Sequence, residues 1–486
     1  MGIVIKQSFK NTVSTYLGFG IGAINTLFLY TNFISDEYYG LVGFILSAAN
    51  IMMPLMAFGV QNTMIKFYST YKTNNSINSF LTLMLFLPLA MAIPIGIIGF
   101  FAHDMISNWL GAENEIVKGY VWHIFITAVA MAYFEVFFAW AKVQMQTVFG
   151  NFMKEVFHRI AIMILLFSVY FNWLTVEQFI NALVGVYVLR MVVMKLYAYN
   201  VRWPVIRFNK IENLSAILKY SSLIIIAGSI ATLILDIDKF MLGKLRPDIE
   251  EVAYYSVAIF IATVIAVPQR AMHQIMMPLT AKLLNDKNMV ELKGLYQRSS
   301  LNLYVISGLI FLLIVLNINE LYLIIPKEFR EGLLVVFLIS TAKLYDNVMG
   351  NNNAILFNSD YYRMVLFFGV LLTILIVLLN LAFIPKYGMN GAAIATFIAI
   401  FIYNSIKIYF VKLKFGMWPL TKGSLVLSFL IILGFGVFYF WDFPFHPLIN
   451  MALKSLLIVL GYGLMVFKLH ISEDINSVLK KFLSKL

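Results

Sequence analysis

The sequence predicts an all-α integral membrane protein, and two observations support this fold class. Fourteen apolar stretches of about twenty residues fill nearly all of the 486-residue chain. Hydrophobic residues make up 61% of the chain and charged residues 12%, whereas soluble domains carry about a quarter charged residues. In the bilayer core, runs of this kind can satisfy their backbone hydrogen bonds only as helices. No room remains for a soluble catalytic domain.

The predicted spans follow one another with short connections. We place the fourteen transmembrane helices at residues 11–33, 38–60, 80–102, 117–141, 152–172, 177–199, 215–237, 252–277, 299–318, 331–350, 362–384, 389–411, 423–440 and 447–467. An even number of spans puts both termini on one side. Basic residues such as Lys72 and Arg207 concentrate on that side, and acidic residues such as Glu113 and Asp442 on the other. The positive-inside rule therefore predicts cytoplasmic termini.

A weak internal repeat suggests the domain organisation. Residues 37–45 (EYYGLVGFI) parallel residues 253–261 (AYYSVAIFI) at an offset of 216 residues. Each repeat then holds six spans, which predicts two lobes with pseudo-two-fold symmetry about an axis along the membrane normal and a central cleft. The predicted units are residues 1–205 and 206–415 for the lobes, 416–470 for the last two spans, and 471–486 for an amphipathic tail on the inner membrane surface.

Ionisable side chains inside spans are costly, and we expect them to face a cavity or a partner. Those of the first lobe lie in the cytoplasmic half of spans four to six: Glu135, Lys142, His158, Arg159, Arg190 and Lys195. Those of the second lobe lie late in spans eight and ten: Arg270, His273 and Gln274, then Lys343 and Asp346. The excess is basic, which favours an anionic ligand that enters from inside. Guanidinium forks match the oxygens of a diphosphate.

Each of these residues also has a purely structural interpretation. Lys142, Lys154 and Lys195 lie close enough to the inner interface to snorkel. Lys343 and Asp346, three residues apart on one helix, can neutralise each other. Arg159 and Arg190 can form a buried set with Glu135. Arg270 is harder to explain structurally because it follows Pro268, which weakens the helix there and frees a carbonyl.

Several functional classes are not supported by the sequence. The net charge of +12 is spread between spans rather than clustered on a soluble face, so a nucleic-acid partner is not expected. The chain has no cysteine, its six histidines are dispersed, and no ATP-binding or hydrolase motif is present. The Asp236-Ile-Asp238 pair resembles a metal-chelating DxD but falls at an outer span end. We therefore predict no catalytic residue, no metal and no cofactor other than a coupling ion, Na⁺ or H⁺, at Glu135 or Asp346.

Several segments resemble one family of membrane proteins. Residues 380–396 (NLAFIPKYGMNGAAIAT) resemble the corresponding segment of polysaccharide flippases, with Pro385 and Gly388 making the outer turn. Further agreement comes from residues 36–40 (DEYYG), 238–242 (DKFML), 253–256 (AYYS) and 277–280 (MPLT), which occur in the same order along the chain. The sequence is therefore similar to Wzx-type lipid-linked oligosaccharide flippases, in the polysaccharide-transport branch of the MATE-like MOP exporter superfamily.

This resemblance implies a two-lobed, fourteen-helix fold of the bacterial or archaeal cytoplasmic membrane. It also implies alternating-access transport of undecaprenyl-diphosphate-linked oligosaccharide to the outer leaflet, for O-antigen, capsule or exopolysaccharide synthesis. Membrane lipid and the polysaccharide polymerase machinery would be partners. Related flippases often carry basic residues in span one, but this span offers only polar groups such as Asn25. The predicted substrate-binding set is therefore Asn25, His158, Arg159, Arg190, Arg270, His273 and Gln274.

Two other functions stay open. A cation-coupled multidrug exporter of the same superfamily would need acidic residues deep in the first lobe, where Glu135 is the only good candidate. A membrane glycan polymerase or ligase would usually have a long outer loop with catalytic Arg and His, and no such loop is present.

Overall fold

The described part of the chain is helical throughout and contains no strand. A computed structural model describes residues 2–483, with side chains described except at residues 2–6, 8, 9, 226–232, 271, 274, 478, 479 and 481–483. The chain forms two compact units, Met1–Ser256 and Val257–Leu486. Helix α12 contains the boundary between them. The division into lobes at residue 205 stays a prediction.

The first unit consists of long helices with short connections. Its helices are α1 (Gly2–Ile24), α2 (Tyr30–Phe33), α3 (Asp36–Ala57), α4 (Val60–Phe67), α5 (Asn74–Phe101), α6 (His103–Leu110), α7 (Val121–Val143), α8 (Val148–Phe152), α9 (His158–Tyr170), α10 (Val176–Val201) and α11 (Leu214–Leu245), followed by α12 (Glu250–Thr263). Two π-helical segments, Asn25–Leu29 and Met153–Phe157, continue α1 into α2 and α8 into α9. Short 3₁₀ segments lie at Tyr68–Thr70 and Glu115–Tyr120.

The second unit has the same character. Its helices are α13 (Val267–Asn285), α14 (Met289–Ile324), α15 (Leu333–Val348), α16 (Asn352–Asn358), α17 (Tyr362–Phe415), α18 (Lys422–Tyr439), α19 (Pro447–Lys468) and α20 (Glu473–Leu483). The 3₁₀ segment Val264–Ala266 separates α12 from α13, and Lys327–Gly332 precedes α15. The helical break predicted at Pro268 therefore lies just before that proline, which occupies the first turn of α13.

All fourteen predicted spans fall on helices, but the number of membrane crossings is less direct. By length and composition, ten described helical segments can cross a membrane, and eleven if α15 and α16, bent by 54°, count as one. The remaining predicted spans are the second half of α17, the interrupted α8 to α9 helix, and α11, whose described apolar stretch is Leu214–Ile225. The all-α membrane fold is confirmed, and the count of fourteen stays a prediction.

Helix α17 shows why a count of continuous helices is too low. Its 54 residues would extend about 80 Å if straight, far beyond a hydrocarbon core of about 30 Å. Gly388 interrupts it with φ 55° and ψ −135°, a conformation that side chains other than glycine avoid. A Cβ on Gly391 would lie 2.3 Å from the carbonyl oxygen of Phe383, so the chain turns back on itself there. The turn predicted from Pro385 and Gly388 is present.

Helix α7 is the centre of the first unit's core. Its residues 136–141 are all buried, and it packs against α3 and α10. Gly150 lies so close to Phe138 that a Cβ would approach the ring to 2.1 Å. This tight packing fixes the positions of α7, α8 and α10, the elements that bear most of the predicted charges.

The segment that links α10 to α11 is attached to the inner end of the first unit. The guanidinium of Arg202 donates to the Tyr68 hydroxyl at 2.8 Å and to the Asn78 side-chain oxygen at 3.1 Å. The Tyr71 hydroxyl donates to the carbonyl of Glu212 at 3.0 Å. Partial burial, reinforced by the Glu212 carboxylate, raises the pKa of the Tyr71 phenol, which therefore stays a donor at neutral pH. Residues 202–212 belong structurally to the first unit.

Candidate functional site

The predicted charges of the first unit meet at its centre. Glu135 on α7 accepts from the ammonium of Lys154 at 2.5 Å, and Lys142 and Arg190 lie close enough to act electrostatically on the same carboxylate. One helical turn after Glu155, Arg159 Nη1 lies 3.7 Å from the Glu155 carboxylate. Four cationic side chains and two carboxylates thus leave an excess of two positive charges. The predicted basic cluster is present as a cluster, although its ligand is untested.

Arg159 lies along a glycine face of α1. A Cβ at Gly18 would be 2.8 Å from Arg159 Nη1 and 2.3 Å from the Glu155 carbonyl, and one at Gly22 would be 3.2 Å from Arg159 Nε. The side-chain amide of Asn25 donates to the Arg159 carbonyl at 2.8 Å. Asn25 is 3% exposed, so it holds the backbone of α9 rather than opening into solvent. Two glycines and an amide therefore position the guanidinium.

Arg190 differs from the other cations because it has no carboxylate at ion-pairing distance among the residues that the structure describes. It is 7% exposed, and its Nε finds no hydrogen-bond acceptor there. Its guanidinium carbon lies 4.3 Å from the Phe134 ring centroid and 4.9 Å from that of Tyr187. Two aromatic faces thus hold a buried positive charge.

The remaining first-unit residues surround this charge. The His158 ring lies 6.1 Å from the Tyr187 ring, and its Nδ1 has no hydrogen-bond partner within the described residues. Lys142 and Lys195 lie over the rings of Phe138 and Tyr199, at 3.9 and 5.6 Å. Lys195 is exposed, as expected for a lysine at the inner interface.

Both π-helical segments border this cluster. One begins at Asn25, and the other, Met153–Phe157, contains Lys154 and Glu155 and ends just before His158 and Arg159. A π turn inserts an extra residue into a helix and rotates the side chains that follow it, and such turns are frequent at functional sites. Periodicity in the sequence gives no sign of them, because both segments are apolar enough to continue an α-helix.

The predicted second-unit residues on α13 are not held by partners. Arg270 is exposed and makes no hydrogen bond or ion pair with the side chains described here. His273, one turn later, is also exposed, and the side chain of Gln274 lies outside the described residues. The geometry therefore leaves Arg270 and His273 accessible and assigns them no structural contact.

Asp346 is held by neighbours other than Lys343. Its Oδ1 accepts from the side-chain amide of Asn404 at 3.2 Å, and its carbonyl accepts from the Gln269 amide at 3.3 Å. Within the described residues, Asp346 forms no ion pair shorter than 4 Å. The predicted neutralisation by Lys343 is not formed in this conformation.

Sequence reasoning missed Lys407, the most deeply buried lysine described. It is 1% exposed on α17, donates to the side-chain oxygen of Asn353, and lies 4.4 Å from the Tyr403 ring centroid. The interval from Tyr403 to Lys407 is one helical turn, and Tyr403 stands 216 residues after Tyr187. The internal repeat was therefore a signal that pointed to Lys407.

Other buried charges have structural partners. Asp238 is fully buried and accepts from the Tyr255 hydroxyl at 2.6 Å, and Asp236 pairs with Lys239 at 2.9 Å. The Lys454 ammonium lies 2.7 Å from the Asp442 carboxylate. Within the described residues, no three His, Asp or Glu side chains are grouped so as to hold a metal ion.

Comparison with known proteins identifies the fold and the family. The chain is similar in structure to the lipid II flippase MurJ in its inward closed conformation, with a TM-score of 0.73 at 15% identity, covering 96% of this chain and 100% of that one. An inward-facing multidrug resistance MATE family transporter of the MOP superfamily gives a TM-score of 0.63 at 13% identity, covering 83% and 94%.

A third similar structure is a MOP superfamily transporter from Pyrococcus furiosus, whose binding pocket of reverse polarity is taken to suggest a different function. It gives a TM-score of 0.59 at 13% identity, covering 85% of this chain and 96% of that one. These similarities establish the MOP fold for this chain. No curated protein sequence matches it.

A family model provides the remaining assignment. The model described as polysaccharide biosynthesis protein matches residues 4–284, more than half of the chain. The matched residues include the whole first-unit cluster and Arg270. This chain therefore belongs to the polysaccharide biosynthesis protein family, with the fold of the MOP transporters.

Proposed function

We propose that this protein is a flippase that moves undecaprenyl-diphosphate-linked oligosaccharide from the cytoplasmic to the outer leaflet by alternating access. The delivered units would serve O-antigen, capsule or exopolysaccharide synthesis, and a polysaccharide polymerase would use them next. The protein would act as a transporter rather than an enzyme. Its family and its multi-pass membrane fold support the coarser statement, a transporter of lipid-linked substrate.

The observation that carries the proposal is the buried guanidinium of Arg190. Desolvating an unpaired charge in a protein interior costs several kcal/mol, whereas contact with an aromatic face returns about 0.5–2 kcal/mol. Phe134 and Tyr187 therefore offset only part of the cost at Arg190. A cation maintained at this expense inside a membrane protein is best explained by an anionic ligand.

A diphosphate suits the charge and geometry of this cluster. A diphosphate esterified at both ends keeps an ionised oxygen on each phosphorus, which matches the excess of two positive charges around Glu135 and Glu155. The planar forks of Arg159 and Arg190 can each bind two such oxygens. Arg270 and His273, exposed and unpartnered in the second unit, are proposed as further contacts. Gln274 stays a candidate from the sequence.

The same charge balance weighs against the multidrug exporter. Organic cations would need an acidic pocket, but Glu135 already pairs with Lys154 at 2.5 Å, and its other charged neighbours are Lys142 and Arg190. A cationic drug would therefore meet net repulsion at this cluster.

The coupling ion is the least constrained part of the proposal. Glu135 and Asp346 are the proposed sites for Na⁺ or a proton. Asp346 is the better candidate, because its carboxylate accepts only an amide hydrogen bond, from Asn404, whereas Glu135 holds an ammonium. We also propose that both termini lie in the cytoplasm, as the distribution of basic loops predicts.

The test is genetic and biochemical. Deleting the gene in a host without a second flippase should abolish the surface polysaccharide and cause the complete lipid-linked unit to accumulate. A leaflet-specific probe should find that unit on the cytoplasmic side. An unchanged surface glycan and an unchanged lipid pool would contradict the proposal.

Variants of the guanidinium then connect the function to the cluster. Arg190→Met should fail to restore the surface glycan at wild-type protein levels, and Arg190→Lys should restore it in part because charge without the fork remains. Lys195→Met is the matched control: the same helix, also a cation over a tyrosine ring, but exposed. It should complement fully.

A further inference from the structure

Lys407 is an ammonium buried without adequate solvation. Its three N–H donors have one described hydrogen-bond acceptor, the neutral side-chain oxygen of Asn353, and the Tyr403 ring lies 4.4 Å away. Among the described residues, no carboxylate stands within 4 Å of its nitrogen. A residue that is 1% exposed and charged should have such a partner if its role is only structural.

The arrangement repeats the one found at Arg190. In each unit a long helix places a tyrosine one helical turn before a buried cation, with the charge 4.9 Å from the Tyr187 ring in one case and 4.4 Å from the Tyr403 ring in the other. Tyr403 follows Tyr187 by 216 residues, and Lys407 follows Arg190 by 217. The internal repeat, detected at residues 37–45 and 253–261, has the same offset.

We infer that Lys407 is a second anion-binding residue, which contacts the diphosphate of the lipid-linked substrate at a stage of transport when Asn353 is displaced from the ammonium. This inference rests on the proposed function and extends it to a residue of the second unit. Asn353 contributes a neutral oxygen that satisfies one N–H in the ligand-free conformation. A phosphate oxygen is a stronger acceptor, so the exchange is favourable once the lipid headgroup arrives.

A structural alternative gives Lys407 a different partner. The charged or titratable groups on the helices that face it are Asp346 on α15 and His273 on α13, and Asp346 is the one that stabilises its charge. Under this alternative, Lys407 only balances Asp346 across the amide of Asn404. Removing both charges should then be harmless, whereas an anion-binding lysine would still be missed.

The test measures binding to the full-length protein in nanodiscs, with undecaprenyl diphosphate as the probe and undecaprenol as the uncharged control lipid. Lys407→Met should weaken binding of the probe about ten- to a hundredfold, as expected for losing one charge-assisted hydrogen bond, and leave undecaprenol unaffected. Lys407→Arg should retain most of the affinity. Lys407→Gln, which keeps a donor for Asn353, replaces the methionine variant if that variant does not fold.

Lys454→Met is the matched control, because Lys454 is 3% exposed in the same unit but paired with Asp442 at 2.7 Å. It should lower thermal stability without changing affinity for the probe. Wild-type affinity in Lys407→Met or Lys407→Gln would overturn the inference alone, and so would recovery in the Asp346→Asn/Lys407→Met double variant. Absence of probe binding by the wild-type protein would instead overturn the flippase proposal, and the inference with it.

Discussion

Lys154 Nζ lies 2.5 Å from Glu135 Oε1, and this ion pair joins α7 to the π-helical segment Met153–Phe157. The carboxylate is largely buried, whereas the ammonium is 43% exposed and partly screened by solvent. Glu135→Gln should therefore lower the free energy of unfolding by about 1 kcal/mol, less than for a fully buried pair. Heating detergent-solubilised protein and measuring the folded fraction checks this.

The double variant Glu135→Gln/Lys154→Met separates the ion pair from the loss of charge alone. It should recover most of the stability, because no unpaired charge is left. Glu177→Gln, at an exposed position in the first turn of α10, should melt like the wild type. A double variant less stable than either single one would contradict the pairing.

Asp346 rather than Glu135 should determine the ion dependence of transport. Glu135 already holds a lysine, and Asp346 accepts only an amide hydrogen bond from Asn404. In proteoliposomes, Asp346→Asn should abolish the dependence of flipping on Na⁺ or on a pH gradient, and Glu135→Gln should keep it. The opposite pattern would assign coupling to Glu135.

Gly18 should tolerate no side chain. A Cβ there would lie 2.3 Å from the Glu155 carbonyl and 2.8 Å from Arg159 Nη1, so Gly18→Ala must displace α1 from the π-helical segment. We expect a loss of about 1–3 kcal/mol of stability, as for other overpacked sites, together with reduced transport. Thermal unfolding and glycan complementation measure the two effects.

Gly20 provides the control on the same helix. Nothing lies within 4 Å of a Cβ at Gly20, which is exposed. Gly20→Ala should therefore be neutral, or more stable by up to about 1 kcal/mol, because alanine favours helix over glycine. Equal effects at both glycines would mean that helix propensity, and not contact with Arg159, determines the result.

The sequence predicted the helical fold well because a single cause, hydrophobic length, determines where helices form in a bilayer. The turn at Gly388 was equally predictable, since proline and glycine interrupt an otherwise apolar run. The positions of Glu135, Arg159 and Arg190 along their helices were also sufficient to expect a cluster. These features depend on local sequence and on span direction alone.

Pairing within the cluster could not be predicted, because it depends on π-helical turns and helix contacts. Lys154 was assigned to the interface, and it is the partner of Glu135. Lys407 was overlooked because it falls near a span end, where lysines usually snorkel, but a bent α15 to α16 pair brings Asn353 against it. Which lysine is buried is decided by packing, for which the sequence carries little signal.

Asn114 should stabilise the connection between α11 and the loop before α7. Its side-chain amide donates to the carbonyls of Gly243 and Arg246, both at 2.7 Å, and the residue is 5% exposed. Asn114→Ala leaves both acceptors without this donor and should cost about 1–3 kcal/mol. A melting-temperature difference from the wild type measures it. Glu113→Ala, at the exposed preceding residue, should melt normally, and equal melting of both variants would argue against the contact.

The fourteen-span topology can be tested without removing any native thiol, because the chain contains no cysteine. Single cysteines should react with a membrane-impermeant maleimide in intact cells when they are outside, and only after permeabilisation when they are inside. Asp360→Cys and Lys414→Cys, at exposed positions around the two ends of α17, should be inside, and Lys386→Cys, beside the Gly388 break, outside. Because α17 would extend about 80 Å if straight, one crossing cannot contain it. Labelling of Asp360→Cys and Lys414→Cys from opposite sides would contradict the reversal at Gly388 and the even number of spans.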